Sequence, residues 1–323
     1  MLAYLVRRLA LSLVVVLAAS FASFWVIGAH VNALGSLYLR NPRPVAEIHR
    51  LTVANHLDKP IPERYALWLK GVVLGGDGRT TVYGVPIWQE VEGGFVHTSE
   101  LAAGAIVVAF VLSVALGMLA VVRRGRATDW LLRLLGYLTW STPVFITAFL
   151  LQAAIAKIDT AWGVHPFYTY GLASGTGLAY FASWFRHLTL PIVAVALSFI
   201  GLYSRYIRSG MLVTLYLPHV TVARAKGLTE PRVHLRHALR NALIPFFAVL
   251  TLDFSAVVGA TLVVDVIFRL QGLGTILFHS IGAIDIDPFE IQALVLVMVL
   301  AVIAFGFLAD LLLMWLDPRI RIT

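Results

Sequence analysis

The chain has 323 residues, of which 59% are hydrophobic and 13% charged, with no cysteine and a formal net charge of +8. A soluble globular chain carries roughly 25% charged residues, so an ordinary soluble domain is excluded. The missing cysteines exclude disulfides, thiolate metal sites and a cysteine nucleophile.

Six apolar runs approach the ~20 residues that a helix needs to cross a bilayer. The first, residues 9–28, follows Arg7 and Arg8. It is longer than the ~7–15-residue core of a signal peptide and continues through Phe24-Trp25-Val26-Ile27, so it reads as a retained first helix, with a cleaved signal peptide as the alternative. The second and third runs are 101–122 and 134–156. The fourth, 188–204, is short, with Trp184, Phe185 and Tyr203 available as interfacial anchors. The fifth, 242–264, contains Asp253 and is bounded by Asp265; the sixth, 291–309, ends before Asp310.

Between the first two runs lies a loop of about seventy residues with Pro42, Pro44, Pro60 and Pro62 and the cluster Gly75-Gly76-Asp77-Gly78. Within it, residues 65–74 read as a short amphipathic helix lying near an interface. Segments 1–8, 123–133, 205–241 and 317–323 hold 15 of the 25 Lys and Arg residues. The intervening loops hold the other 10 together with 12 acids. The positive-inside rule therefore predicts that both termini are cytoplasmic, and the basic balance reports topology rather than a nucleic-acid partner.

The basic segment between runs four and five is the most distinctive part of the chain. Residues 215–225 have few helix breakers, Gly227 closes the stretch, and a second helix starts near Thr229-Glu230-Pro231. Thr229 suits a cap and Pro231 a first turn. The segment reads as two short helices about a glycine turn, carrying Arg224, Lys226, Arg232, Arg236 and Arg240. From the residues alone, such a basic knob fits either a partner's cleft or an anionic lipid surface.

Other chemistry is sparse. His219, His234 and His237 read as packing or interface residues rather than metal ligands. Asp253 falls mid-run, where a carboxylate must be paired or face water; it either lines a polar path or makes a structural bond. Pro143, Pro191 and Pro245 fall in or at the start of spans, where they shape packing or act as hinges. No H-E-x-x-H and no G-x-x-x-x-G-K-[ST] phosphate loop occurs, so neither a zinc hydrolase nor an ATP site is expected in this chain. No catalytic residue, metal ligand or cofactor is assigned.

Ala223-Arg224-Ala225-Lys226-Gly227, then His237-Ala238-Leu239-Arg240-Asn241-Ala242 and Ile244-Pro245, resemble the coupling loop of the permease subunits of bacterial ABC importers of the dipeptide/oligopeptide class. Further similarity lies in Arg186-His187-Leu188-Thr189-Leu190-Pro191, in Ser204-Arg205-Tyr206-Ile207-Arg208 with Ser209-Gly210-Met211-Leu212, and in Val264-Asp265-Val266-Ile267-Phe268 with Gly272-Leu273-Gly274. Asp310 and Asp317-Pro318-Arg319-Ile320-Arg321 resemble the family's C-terminal signature. Weaker echoes are Ser141-Thr142-Pro143-Val144-Phe145, Leu57-Asp58-Lys59-Pro60 and Gly76-Asp77-Gly78. The chain departs from the family with Asp265 where Glu is usual, Gln271 where Pro is usual, and no Glu of the generic coupling motif.

The resemblance implies an all-α membrane protein with six transmembrane helices and the type I ABC-importer permease fold. Residues 1–30 form an N-terminal helix, 31–96 an extracytoplasmic loop, 97–317 a five-helix core including the coupling loop 212–241, and 318–323 a tail. It implies a bacterial inner-membrane location, a homologous second permease, two ATP-binding subunits that hold ATP and Mg, an extracytoplasmic solute-binding protein, and a peptide substrate. Ala223, Arg224, Ala225, Lys226, Gly227, His237, Arg240 and Asn241 become candidates for ATPase coupling. Asp253, Asp265, Phe268, Gly272 and Gly274 become candidates for the translocation path or gate. Nickel chelates or glutathione are alternative cargoes, and an ATP-independent channel or secondary carrier is the alternative of another class.

Overall fold

A computed structural model describes residues 2–31, 34, 45–74, 86–282 and 286–316. The Gly75–Gly78 cluster, Pro42, Pro44 and the signature 317–321 fall outside them. The described elements are helical: α1 Leu2–His30, α2 Val45–Ala54, α3 Ile61–Leu74, α4 Ile87–Val122, α5 Ala127–Ser141, α6 Val144–Trp162, α7 Gly177–Leu215, α8 Pro218–Ala225, α9 Glu230–Phe268, α10 Leu273–Ser280 and α11 Pro288–Leu316. Six of these, α1, α4, α6, α7, α9 and α11, are long and apolar enough to cross a membrane. With six such helices and no strand element among the described residues, the expected fold class holds.

Two span boundaries differ from expectation. The third apolar run, 134–156, is cut in two. Thr142 precedes Pro143 and adopts an extended conformation (φ −85°, ψ 121°), because proline's ring disfavours helix at the residue before it. The spanning helix is therefore α6, while α5, at 15 residues and about 22 Å, is too short to cross. The fourth run of 17 residues becomes the core of a helix of 39. Its flanking cations are neutralised or stacked by residues far away in sequence, as described below. Pro191 and Pro245 sit inside α7 and α9 without ending them.

The chain divides into two compact units, Met1–His97 with Gln271–Ala304 and Thr98–Leu270 with Phe305–Thr323. In the first, α3 packs on α1, confirming helix where residues 65–74 predicted it. Phe24 and Trp68, both buried, meet with ring centroids 5.5 Å apart, and Leu296 joins them. The Tyr65 hydroxyl lies 2.8 Å from Ser20 Oγ and donates weakly to the Leu17 carbonyl at 3.4 Å, giving the interface polar contacts as well. Asp287 caps α11, its Oδ1 accepting from the amides of Phe289 and Glu290 at 3.1 Å each. Ser280 at the end of α10 donates to Glu290 at 2.6 Å.

In the second unit α7 is central and packs against α5, α6 and α9. Leu101, Ala105, Leu190, Val195, Val257 and Phe268 form one buried cluster. Tyr203, Ile207, Met211, Ala242 and Phe246 belong to another. Small residues let the backbones close: a Cβ on Gly201 would lie 2.0 Å from the carbonyl oxygen of Gly136. Approaches of this kind replace the hydrophobic drive that lipid cannot supply between helices.

An ion pair fixes the same two helices. Asp129, near the start of α5 and only 2% exposed, accepts from Arg208 Nε and Nη2 at 2.9 Å each. Arg133 approaches the same carboxylate at 3.5 Å, and the Gly125 amide donates to it at 3.2 Å. The Arg208 hydrogen bonds hold the Asp129 carboxyl below its ordinary pKa. The stabilisation is therefore complete above the ordinary carboxylate range and is lost as pH falls through the lowered value. Asp129→Asn is expected to cost about 3 kcal/mol at neutral pH by leaving Arg208 unpaired. In detergent thermal unfolding, the gap to wild type should close on acidification; a gap independent of pH would mean that the carboxylate charge is not what Asp129 contributes.

Candidate functional site

The basic segment is built on two packed elements. Leu217 is extended (φ −75°, ψ 146°) because Pro218 follows, and Pro218 opens α8 at its first turn. The expected helix 215–225 is thus interrupted: α7 ends at Leu215 and α8 begins at Pro218. At its other end Gly227 has φ +82°, a conformation that only glycine holds cheaply. Its amide donates to the Arg224 carbonyl at 2.9 Å, and the Leu228 amide donates to the Ala223 carbonyl at 3.3 Å. These two bonds are a Schellman close, which satisfies carbonyls that the helix end would orphan.

The second half differs from expectation. It is no separate short helix: α9 starts at Glu230, passes through a π-helical stretch Val233–Leu239, and continues to Phe268. Thr229 has the extended backbone of a cap but no side-chain capping bond, while Pro231 does occupy the first turn. π-stretches concentrate at functional places in helices, and this one carries His234, Arg236 and His237.

One face of the segment is apolar and buried through Val220, Ala223, Val233 and Ala238. The other is exposed and cationic, presenting Arg224, Lys226, Arg232, Arg236 and Arg240. Across the turn Arg224 donates to both carboxylate oxygens of Glu230, at 2.8 and 3.2 Å, and more weakly to the Leu215 carbonyl at 3.4 Å. Glu230 holds the Arg224 guanidinium above its ordinary pKa. The pair braces α8 against the start of α9.

Of the candidates, Ala223 is buried, Arg224, Ala225, Lys226 and Gly227 are exposed at the end of α8, and His237 is half-buried in the π-stretch. Arg240 and Asn241 follow it, exposed, on α9. His219 and His237 rings lie 6.5 Å apart, where α8 meets the π-stretch. Among the described residues no group of three or more potential metal ligands occurs.

The second set of candidates is spread out. Asp253 is half-buried on α9, and its Oδ2 is buried with no hydrogen-bond partner among the described residues, as is the Tyr203 hydroxyl on α7. Asp265 and Phe268 are buried in the last turns of the same helix. The Phe268 carbonyl accepts from the Gly171 amide at 3.1 Å. Gly272 and Gly274 belong to the other compact unit, where Gly272 precedes α10 and Gly274 is buried within it.

Sequence reading missed the supports of the basic turn. Glu230 as the partner of Arg224 was readable in principle from six-residue spacing across a glycine turn. Asp129 with Arg208, and Arg124 stacked 5.7 Å over Tyr216, had no local signal.

Residues 104–322 match the family described as the inner membrane component of binding-protein-dependent transport systems. The chain belongs to this family. The oligopeptide transport system permease protein OppB of Mycobacterium tuberculosis is 32% identical over 329 residues, covering 99% of each chain. The dipeptide transport system permease protein DppB of Escherichia coli is 30% identical over 286 residues, covering 82% of each. A crystal structure of an amino acid ABC transporter with histidines aligns at 14% identity and a TM-score of 0.48, over 72% of this chain and 94% of that one. This permease is therefore a multi-pass membrane protein, and its six spanning helices make up the type I importer permease fold.

Proposed function

We infer that this permease imports peptides as half of the translocation pathway of an ATP-driven transporter. A homologous second permease supplies the other half. The complex carries two ATPase subunits, to which this chain couples through its 212–241 segment, and an extracytoplasmic binding protein delivers the substrate. The observation that carries the reading is the braced basic turn, Ala223 to Gly227 locked to Glu230, in a chain similar end to end to an oligopeptide permease. Charge placement supports cytoplasmic termini and a cytoplasmic turn, with 31–96 outside. Force from ATPase closure enters at the exposed end of α8, and the membrane helices rock to alternate access. ATP and Mg are held by the ATPases; this chain supplies neither catalytic groups nor a cofactor site.

The test is a mild-detergent pull-down of the chain from its native membrane, with the copurifying proteins identified. Recovery of an ATPase, a second permease and a binding protein is expected, and the ligand of that binding protein names the cargo. A binding protein selective for nickel chelates or glutathione would replace peptide as the substrate. A chain that purifies alone and transports in liposomes without ATP would replace the importer with a channel or carrier.

A further inference from the structure

An open pocket of about 580 Å³ lies at the end of α9, opposite in sequence to the basic turn. It is lined by Phe149, Gln152, Ala153 and Ala156 of α6, Thr169 and Tyr170 of the following loop, Ile267 of α9, and Arg269. Its volume falls in the range of ~300–1,000 Å³ typical of small-molecule sites. The walls are held in place by hydrogen bonds that need no ligand. Gln152 Nε2 donates to the Thr169 carbonyl at 2.8 Å and to the Ile267 carbonyl at 3.3 Å. The Gly171 amide ties the loop to the end of α9, and the Tyr168 amide ties it to the Arg186 carbonyl at 2.9 Å.

Arg269 is the one charged residue among those lining the pocket, and its side chain has no hydrogen bond, ion pair or ring contact with any described residue. The acid on α6, Asp159, pairs with His165 instead, at 3.2 Å. Arg269 also ends α9 in the left-handed region (φ 54°, ψ 51°). Glycine would hold that conformation without cost, so the helix end does not itself call for arginine. An exposed guanidinium at the rim of an open pocket with an aromatic and aliphatic lining is suited to bidentate capture of a carboxylate beside an apolar group.

We propose that this pocket receives the C-terminal carboxylate of the peptide cargo on Arg269, with the last side chain of the peptide against Phe149 and Tyr170. Gln152 Oε1, left free once Nε2 is committed to the wall, accepts from the peptide's amide. The proposal rests on the peptide-importer reading above and adds where the cargo is held and by which end.

The experiment compares ATP-driven uptake of a peptide with that of its C-terminal amide, by the whole complex in proteoliposomes with its binding protein. Wild type is expected to favour the free acid about tenfold in kcat/KM, the size of one charge-assisted hydrogen-bonded contact. Arg269→Asn, which tolerates the left-handed backbone, should bring the free acid down to the level of the amide. Arg269→Lys should retain part of the preference. Copurification of the ATPase, and the peptide affinity of the separate binding protein, should be unchanged in both variants. A preference absent from wild type, or one that persists in Arg269→Asn, would overturn the proposal, the latter by placing selection in the binding protein. Equal loss for acid and amide would overturn it too, by making Arg269 structural. If wild type imports no peptide at all with ATP, the function proposed above fails, a result distinct from any change at Arg269.

Discussion

Gly227→Pro and Arg224→Glu are each expected to abolish ATP-driven uptake while leaving the chain inserted and folded. Proline fixes φ near −65° and has no amide hydrogen. Gly227 stands at φ +82° and donates to Arg224, so the turn cannot keep its shape. Arg224→Glu sets two carboxylates against each other where the bidentate pair now braces the turn. Both partners are exposed, at 38% and 56%, so the pair contributes at most about 1 kcal/mol and its loss should not unfold the membrane bundle. The expected loss is in recruitment of the ATPase, measured by copurification beside uptake. The exchanged pair, Arg224→Glu with Glu230→Arg, restores the brace and should recover much of the uptake. Full ATPase association and uptake in either single variant would remove the coupling role from this turn.

Gly201→Ala should be the most damaging small substitution in the bundle. The added methyl would lie 2.0, 2.7 and 2.8 Å from the carbonyl oxygen, carbonyl carbon and Cα of Gly136. All three are backbone atoms, so no side chain can swing aside and α5 must separate from α7. The reverse change is gentler: a methyl on Gly136 meets Gly201 at 3.3 Å, a few tenths of an ångström too close. Gly201→Ala should cost about 3 kcal/mol and Gly136→Ala less than half of that. Separation would also loosen Asp129 from Arg208 and Arg205 from the faces of Tyr137 and Trp140, now 4.6 and 5.2 Å away. Unfolding of the two variants in detergent tests the asymmetry; equal midpoints would mean that the helices do not approach through Gly201.

Much of this architecture was legible because a bilayer imposes one length on every crossing helix. Five of the six spans coincide with apolar runs, extended at their ends, the fifth in spite of Asp253. The third was misplaced because hydropathy runs unbroken across Thr142-Pro143, whereas backbone sterics do not. The fourth looked too short because Arg205 and Arg208 seemed to end it. Their partners lie elsewhere in the chain: Asp129 is 79 residues from Arg208, and the Tyr137 and Trp140 rings are 68 and 65 residues from Arg205. No window along the sequence can register such pairs. In the basic segment the glycine turn was readable from Gly227 alone. The π-stretch was not, since Val233–Leu239 has the composition of any amphipathic helix; in the fold it packs against α7 and α8. Arg269 escaped notice because its meaning depends on the loop after α6, which no motif marks.

The unbroken course of α9 has a mechanical corollary. At 1.5 Å per residue its 39 residues measure about 58 Å. The same rigid lever begins at the Arg224–Glu230 brace and ends at Ile267, on the wall of the Arg269 pocket. A tilt of only 5° about its middle moves each tip by about 2.5 Å in opposite directions. Only the wider winding at Val233–Leu239 and the missing amide at Pro245 soften it, and both lie in its first half. A push at the basic turn would then be absorbed early or delivered whole at the far tip, with the stiffness around Pro245 setting the gearing between them.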